Sequence, residues 1–363
     1  MSAPLRLALL HPTYWPEVRR GAERLVHDVA AGLAARGHEP WILTSHGAAT
    51  ERTVDGRVTI VRHRRLSSAL LQRRALQDHL MHLPLVARTL RREGFDIVHA
   101  FHPSDALLAV RSPVPSVLTL VGLPRPAGLA NRWLRLETLE RAVFGCDELV
   151  TISAAAQTAA QRWLGRGGRV IHPGTDPCSV AVRSPPTAPP IALARSSSAH
   201  RPSTTCASAA TCCSPASLAS ASSDPARGSC SHARATRRCS HAGCPRHRTC
   251  RRRRRGRAGA PLQRRVGDRA HVAGRGVRPR ARESLACGTP VVASTDGAGP
   301  EIIDRPGIGA LFDAPEPDAV ATALLGAIDL PDPAAACRAR AEQLSLQRCA
   351  EEYETLYRTL LDG

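Results

Sequence analysis

Residues 5–176 alternate short apolar runs with stretches of helical period, and that alternation leaves few folds open. Leu5–Leu10 reads as a buried strand. His11-Pro12-Thr13-Tyr14-Trp15-Pro16 reads as a loop, because two prolines forbid a regular element. Ala22–Arg36 reads as a helix: Leu25, Val26, Val29 and Leu33 recur at helical spacing, and Gly37 follows as a C-terminal cap. Trp41–Thr44 and Val58–Val61 are further strands, and Ala69–Arg92 is a long helical region. Asp96–Ala100 and Ser116–Leu120 are short buried strands, and Glu137–Phe144 is a helix. Glu148–Ile152 leads to Ser153, placed to cap a helix beginning at Ala154. Arg169–His172 closes the series. Repeated strand–helix alternation with short loops predicts a doubly wound parallel sheet.

The chain has 363 residues, enough for two domains of ordinary size. The first apolar run is short and interrupted by Arg6, which suits a strand better than a signal peptide. No apolar run reaches membrane-spanning length. The expected setting is cytoplasmic, with docking on a membrane surface left open.

A second informative stretch is Glu283-Ser284-Leu285-Ala286-Cys287-Gly288-Thr289-Pro290-Val291-Val292-Ala293-Ser294. It reads as a helix end, a tight Gly-Thr-Pro turn and a buried strand. Ligands of open α/β sheets lie at the carboxyl ends of the strands, near such helix termini. A carboxylate there, at Glu283, can accept hydrogen bonds from a pair of sugar hydroxyls. A plain corner with a solvent-facing Glu would read the same way. Arg20-Gly21-Ala22, between the first strand and first helix, fits phosphate binding or simple close packing.

The net charge of +19 points to nucleic acid until it is mapped. Residues 178–282 hold 22 Arg against two acids, Asp224 and Asp268, whereas the rest holds 28 Arg against 29 acids. There is no Lys. The same segment has eight of the twelve Cys and no aromatic residue or Met. Cys146, Cys287, Cys337 and Cys349 are scattered, as buried thiols of a cytosolic protein are. On composition residues 178–282 are low-complexity and disordered. Cys239, His241, Cys244, His247 and Cys250 lack the paired Cys-x-x-Cys spacing of a zinc site. Arg251–Arg255 would attract phosphate, but no aromatic is interleaved for base stacking, so no specific nucleic-acid partner is expected. Arg62, Arg64 and Arg65 form a small basic cluster that reads as a solvated face.

Several motifs carry a resemblance. Pro16…Gly21-Ala22-Glu23, Leu33-Ala34-Ala35-Arg36-Gly37-His38, Asp96-Ile97-Val98-His99-Ala100, Val150-Thr151-Ile152-Ser153 and Ile171-His172-Pro173-Gly174-Thr175-Asp176 resemble the N-terminal domain of family-4 glycosyltransferases. Residues 283–303 resemble the donor-binding part of that family's C-terminal domain, and 304–363 its closing helices. The resemblance implies a glycosyltransferase-B fold: two Rossmann-like domains facing a cleft. The expected division is an acceptor-binding domain over 1–177, the low-complexity segment over 178–282, and an incomplete nucleotide-sugar-binding domain over 283–363. It implies retaining transfer of a sugar from a nucleotide-sugar donor, with no metal and no cofactor beyond that co-substrate. The acceptor is left open among glycan, lipid and small molecule. Glu283, Gly288 and Thr289 are the donor-binding candidates. Gly21, His99 and Ser153 are the candidates for the acceptor or diphosphate loop. No catalytic residue is assigned.

The chain also departs from the family. Val121 stands where the family usually has a His, and the Lys that helps to hold the diphosphate is absent. The first of the family's two glutamates would fall eight residues before Glu283, where this chain has Arg275. Codons for Arg275–Ala281 can be chosen that, shifted by one base, read Glu-Ala-Phe-Gly-Leu-Val-Leu, a good match to the family. The middle segment therefore reads as translated out of frame, with the frame lost soon after Asp176 and regained just before Glu283. An impaired enzyme is the expectation. A catalytically dead homologue and a polybasic nucleic-acid-binding protein are the alternatives.

Overall fold

The computed structural model describes residues 3–73, 77–122, 133–176, 271–273 and 279–363, all within one compact unit. The zinc-like Cys/His group, the Arg run and Arg275 lie outside the described residues.

The N-terminal part is an eight-stranded sheet in the order β3-β4-β2-β1-β5-β6-β7-β8. Its strands are β1 (Arg6–Thr13), β2 (Glu39–His46), β3 (Glu51–Asp55), β4 (Val58–Arg64), β5 (Ile97–Ala100), β6 (Ser116–Leu120), β7 (Glu148–Thr151) and β8 (Arg169–Val170). All neighbours pair in parallel except β3 with β4. Alternation along β1 splits the core. Leu7 and Leu9 pack on one face with Val26, Val29 and Leu33 of helix α1 (Gly21–Ala35). Ala8 and Leu10 pack on the other with Leu43, Val98 and Leu118. Burial on both faces explains why the strand reads as one unbroken apolar run.

Three expectations need correction. The loop expected over 11–16 starts later, since β1 runs through His11 and Pro12 to Thr13; Pro12, with no N–H to give, is passed by an irregularity in the pairing with β2 between Leu10 and Thr13. The helical region over 69–92 is not continuous: it contains α2 (Ala69–Arg73), α3 (Gln77–Leu80) and α4 (Leu83–Glu93). Pro84 has no N–H to give and belongs in a first turn, so it starts a new helix. The basic cluster is not simply solvated. Arg62 pairs with Glu51, and Arg65 with Glu17 and Asp78, both guanidinium side chains being largely covered.

Helices α5 (Pro103–Ala109), α6 (Trp133–Gly145) and α7 (Ala154–Leu164) complete the alternation. A smaller parallel sheet follows, in the order β11-β10-β9. It is built from β9 (His271–Ala273), β10 (Val291–Ser294) and β11 (Gly309–Phe312), with α8 (Pro279–Ala286), α9 (Gly299–Ile302), α10 (Pro317–Ile328) and α11 (Ala334–Gln343). The strand β9 and the start of α8 precede Glu283, so regular structure begins upstream of the point where the family-like sequence resumes. Ala281 and Leu285 of α8 pack on Cys337 and Ala341 of α11. Cys146, Cys337 and Cys349 are buried free thiols, and Cys287 is half-buried.

The last helix, α12 (Leu346–Asp362), does not cover the smaller sheet. Its Cys349, Tyr353, Leu356 and Tyr357 join Leu7, Leu9 and Val29 in the N-terminal core. Gly32 of α1 admits the close crossing: a Cβ there would stand 2.9 Å from the Ala350 Cβ.

Candidate functional site

A cavity of about 330 Å³ opens at the carboxyl ends of β6, β7 and β8. Gly21, Ala22, Arg24, Leu25 and Asp28 of α1 form one wall, Val121, Ile152 and Pro173 another, and Arg282 of α8 closes it. This is the position at which ligands enter open α/β sheets. The walls differ in chemistry: Leu25, Val121, Ile152 and Pro173 are apolar, whereas Arg24, Asp28 and Arg282 carry charge.

Gly21 stands at the head of α1, where a Cβ would meet nothing within 4 Å. Packing therefore does not account for the glycine. The loop before it is pinned by Glu23, which accepts from Thr13 Oγ1 (2.8 Å) and from the Arg20 backbone N–H (3.0 Å).

Glu283 is not solvent-facing. Its carboxylate meets Arg24 Nη1 at 2.5 Å, and its side chain is 13% exposed. Arg24 also lies 3.5 Å from Asp28, one helical turn on. Burial pushes the Asp28 carboxyl up to about 6, although Arg24 and Arg282 pull it down. Arg282 is the most constrained member. Its Nε donates to Thr175 Oγ1 at 3.2 Å, and its buried Nη1 has no partner. Burial lowers its guanidinium to about 10, against the opposing pull of Cys349, Asp28 and Glu283.

The other expected residues divide. Gly288 has φ +76 and the Thr289 N–H donates to Ser284 O at 2.8 Å, so both build the turn after α8. Neither lines the cavity. Ser153 caps α7, accepting from the Ala156 N–H at 3.1 Å, and thereby sets Ile152 in the wall. His99 is not a loop residue. It is fully buried on β5 and shares hydrogen bonds with Tyr357 Oη (2.6 Å) and Thr119 Oγ1 (2.7 Å). Burial lowers it to about 3, so it is a neutral core histidine sealed beneath α12.

The sequence reading missed four residues. Arg24 and Asp28 follow Gly21 at intervals of three and four, so helical spacing alone puts them on one face. Arg282 gave no signal. Glu301 lies within the family-like stretch 283–303, where it was given no role. Its carboxylate accepts from the first N–H groups of α7, Ala154 (2.7 Å) and Ala155 (2.9 Å), and from His172 Nε2 (2.9 Å). Burial raises this carboxyl, but the three bonds outweigh burial and hold it below its ordinary value. Glu301 thus ties the smaller sheet to the larger one beside two cavity walls.

Two α/β units with their strand ends turned to a shared cleft define the glycosyltransferase-B fold. Solved structures match over almost the whole chain. Sucrose-phosphate synthase from Thermosynechococcus elongatus matches with TM-score 0.61 and 16% identity, covering 99% of both chains. HepE from Anabaena in complex with UDP matches with TM-score 0.58 and 14% identity, covering 98% of this chain and 100% of that one. An E. coli trehalose-6-phosphate protein bound with UDP-2-fluoro glucose gives TM-score 0.59 and 11% identity, over 97% and 98%. No curated protein sequence matches the chain. Residues 19–178 match the family described as Glycosyltransferase Family 4.

Proposed function

We propose that the protein is a glycosyltransferase that takes its sugar from a nucleotide-sugar donor and retains anomeric configuration. The observation that carries this reading is the cavity itself. It brings Gly21 of the family-matched part and Arg282, next to Glu283, to one cleft with both charged and apolar walls. Positive groups at such a place can stabilise charge that develops on a departing diphosphate. Glu283 would take the ribose hydroxyls after leaving Arg24. The neighbours solved with UDP or a UDP-sugar support a uridine nucleotide as the first to try.

Turnover is expected to be impaired, because the resemblance puts a Glu where Arg275 stands. The acceptor would be a glycan, a lipid or a small molecule. No helix among the described residues is long and apolar enough to cross a membrane. Leu66 and Leu70 are exposed beside Arg64 and Arg73, which supports peripheral contact with an anionic surface.

Calorimetric titration of the full chain with UDP, GDP and ADP tests the donor reading. One of them should bind, and Glu283→Ala should weaken it about tenfold, or 1.4 kcal/mol. Saturating nucleotide without any heat or thermal shift would overturn the reading. Sugar transfer at an ordinary rate of about 1 s⁻¹ or more would overturn the impairment. A specific alternative, a binding-only homologue, is favoured by the Arg24–Glu283 ion pair; nucleotide binding with no donor hydrolysis would establish it.

A further inference from the structure

The strand order turns back at β1: β2, β4 and β3 lie on one side of it, and β5 to β8 on the other. Such a switch point leaves a crevice outside the carboxyl ends of the two strands that meet there, here β1 and β5. Two histidines flank it. His11 lies near the end of β1, and His102 stands two residues beyond β5. Their rings are 6.1 Å apart, edge to face. Burial lowers both, His102 to about 3, so both are neutral at neutral pH. Their hydrogen bonds then fix which nitrogen keeps the proton. His11 Nδ1 lies 2.6 Å from the Thr13 carbonyl oxygen and must donate to it, the Thr13 N–H being farther off at 3.4 Å. Its Nε2 is therefore an acceptor. His102 Nδ1 accepts from the Ser104 backbone N–H at 3.2 Å, so its Nε2 carries the proton and is a donor. Neither Nε2 has a hydrogen-bond partner among the described residues. The His102 ring is further held by His79, stacked on it at 4.5 Å.

We propose that this crevice binds a hydroxyl group of a polyhydroxylated acceptor, a sugar or a cyclitol, which donates to His11 Nε2 and accepts from His102 Nε2–H. A hydroxyl does both at once, and one oxygen at about 2.8 Å from each nitrogen can span rings at this separation. Neutral rings offer no charge to a phosphate or an ammonium group, and a hydrocarbon chain would leave both nitrogens without partners. β5 pairs with β6, whose end leads to Val121 in the cavity wall, so the bound polyol would stand one strand away from the donor. The proposal deepens the glycosyltransferase reading, on which it rests for calling the polyol an acceptor.

Nitrogen–proton correlation spectra of the imidazoles in the full chain read the tautomers. The proton should sit on Nδ1 of His11 and on Nε2 of His102, and the reverse at either ring overturns the proposal. The full chain, His11→Asn and His102→Asn are then titrated with methyl glucoside, methyl mannoside and myo-inositol, with hexanol as the apolar control. At least one polyol should bind with Kd of about 1 mM and move the resonances of both rings. Asn at 102 still caps the helix but lacks the reach of the ring, so His102→Asn should weaken that polyol at least about fivefold, and His11→Asn likewise. No polyol binding up to about 50 mM would make the crevice a water position only. Hexanol bound as well as the polyols, or polyol binding indifferent to both variants, would equally defeat the proposal. If a variant does not fold, the tautomers and the ring resonances still decide. UDP, GDP and ADP are titrated alongside. Nucleotide binding without polyol binding sinks this proposal and leaves the donor reading standing. Polyol binding as described, with no nucleotide bound, keeps the hydroxyl site and removes the acceptor role.

Discussion

Replacing Arg282 by methionine should make the protein more stable. The guanidinium is 4% exposed, and burial lowers it from its ordinary 12.5 to about 10. Two to three pKa units at 1.36 kcal/mol each put the cost of keeping the charge inside at about 3 kcal/mol. Against this stand one hydrogen bond to Thr175, worth about 1 kcal/mol, and the loss of a partner for that hydroxyl, of similar size. Methionine has nearly the same reach and no group to desolvate. The net expectation is a gain of about 1–2 kcal/mol, and hence a thermal midpoint higher by about 2–8 °C. Thermal and urea unfolding of the two full chains measure it, with Arg282→Gln as the control that keeps a polar head and gains less. A loss of more than about 1 kcal/mol in Arg282→Met would show that the guanidinium has partners equal to its burial, and the reasoning would fail.

Three further outcomes follow from neighbouring groups. Burial raises Asp28 to about 6, so its penalty is absent below its unfolded value near 3.8 and fully present above about 6. Asp28→Asn should therefore raise the unfolding free energy from urea titration at pH 7.5, by about 1–2 kcal/mol after allowance for partial exposure, and leave it unchanged at pH 3.5. An equal gain at both values would rule out ionisation as the cause. Tyr357→Phe strips the fully buried His99 of a partner and should cost about 1–3 kcal/mol. A near-zero value would mean that the Tyr357 hydroxyl is dispensable to the core. Glu301→Ala removes three charge-assisted bonds between the two sheets and should cost about 2–3 kcal/mol. Glu301→Gln should lose less, and equal losses in both would assign the effect to packing.

The fold was legible wherever burial wrote a period into the sequence. β1, β2, β5, β6 and β7 announce themselves because each is covered on both faces. The hairpin strand Glu51–Asp55 does not, since all its residues are exposed and its partner is a single edge neighbour. Helix α12 was expected only through the resemblance, as one of the closing helices over 304–363, and an apolar stripe specifies a face and not the surface it will meet. Its destination on the N-terminal sheet depends on Gly32 and on the far side of β1, which no local pattern encodes. Gly21 and Glu283 were legible from motifs. His99 was legible too, as one more residue on the buried face of a strand, and its position in a recognised motif obscured that simpler reading. Arg282 could not have been found, because an arginine among many others in a segment of odd composition has no distinguishing neighbour until the chain is folded.

The charges around the cavity also bear on why binding and turnover should part company. Arg24 and Arg282 face Asp28 and Glu283, two cations against two carboxylates, so the empty site is close to neutral. A phosphoryl group gains attraction to Arg24 only as the 2.5 Å contact with Glu283 is given up. That exchange weakens binding without forbidding it. Catalysis is more demanding, because stabilisation of a leaving group works best when its donors are fixed beforehand and need not reorganise. Arg282 meets that condition, being buried, held through Thr175 and unoccupied at Nη1. Arg24 does not, since its guanidinium would first have to leave Glu283. A chain with no Lys, and with Arg275 where the resemblance puts a glutamate, thus has one prearranged cation and one that would have to be released. The expected result is a protein that recognises a diphosphate more readily than it expels one.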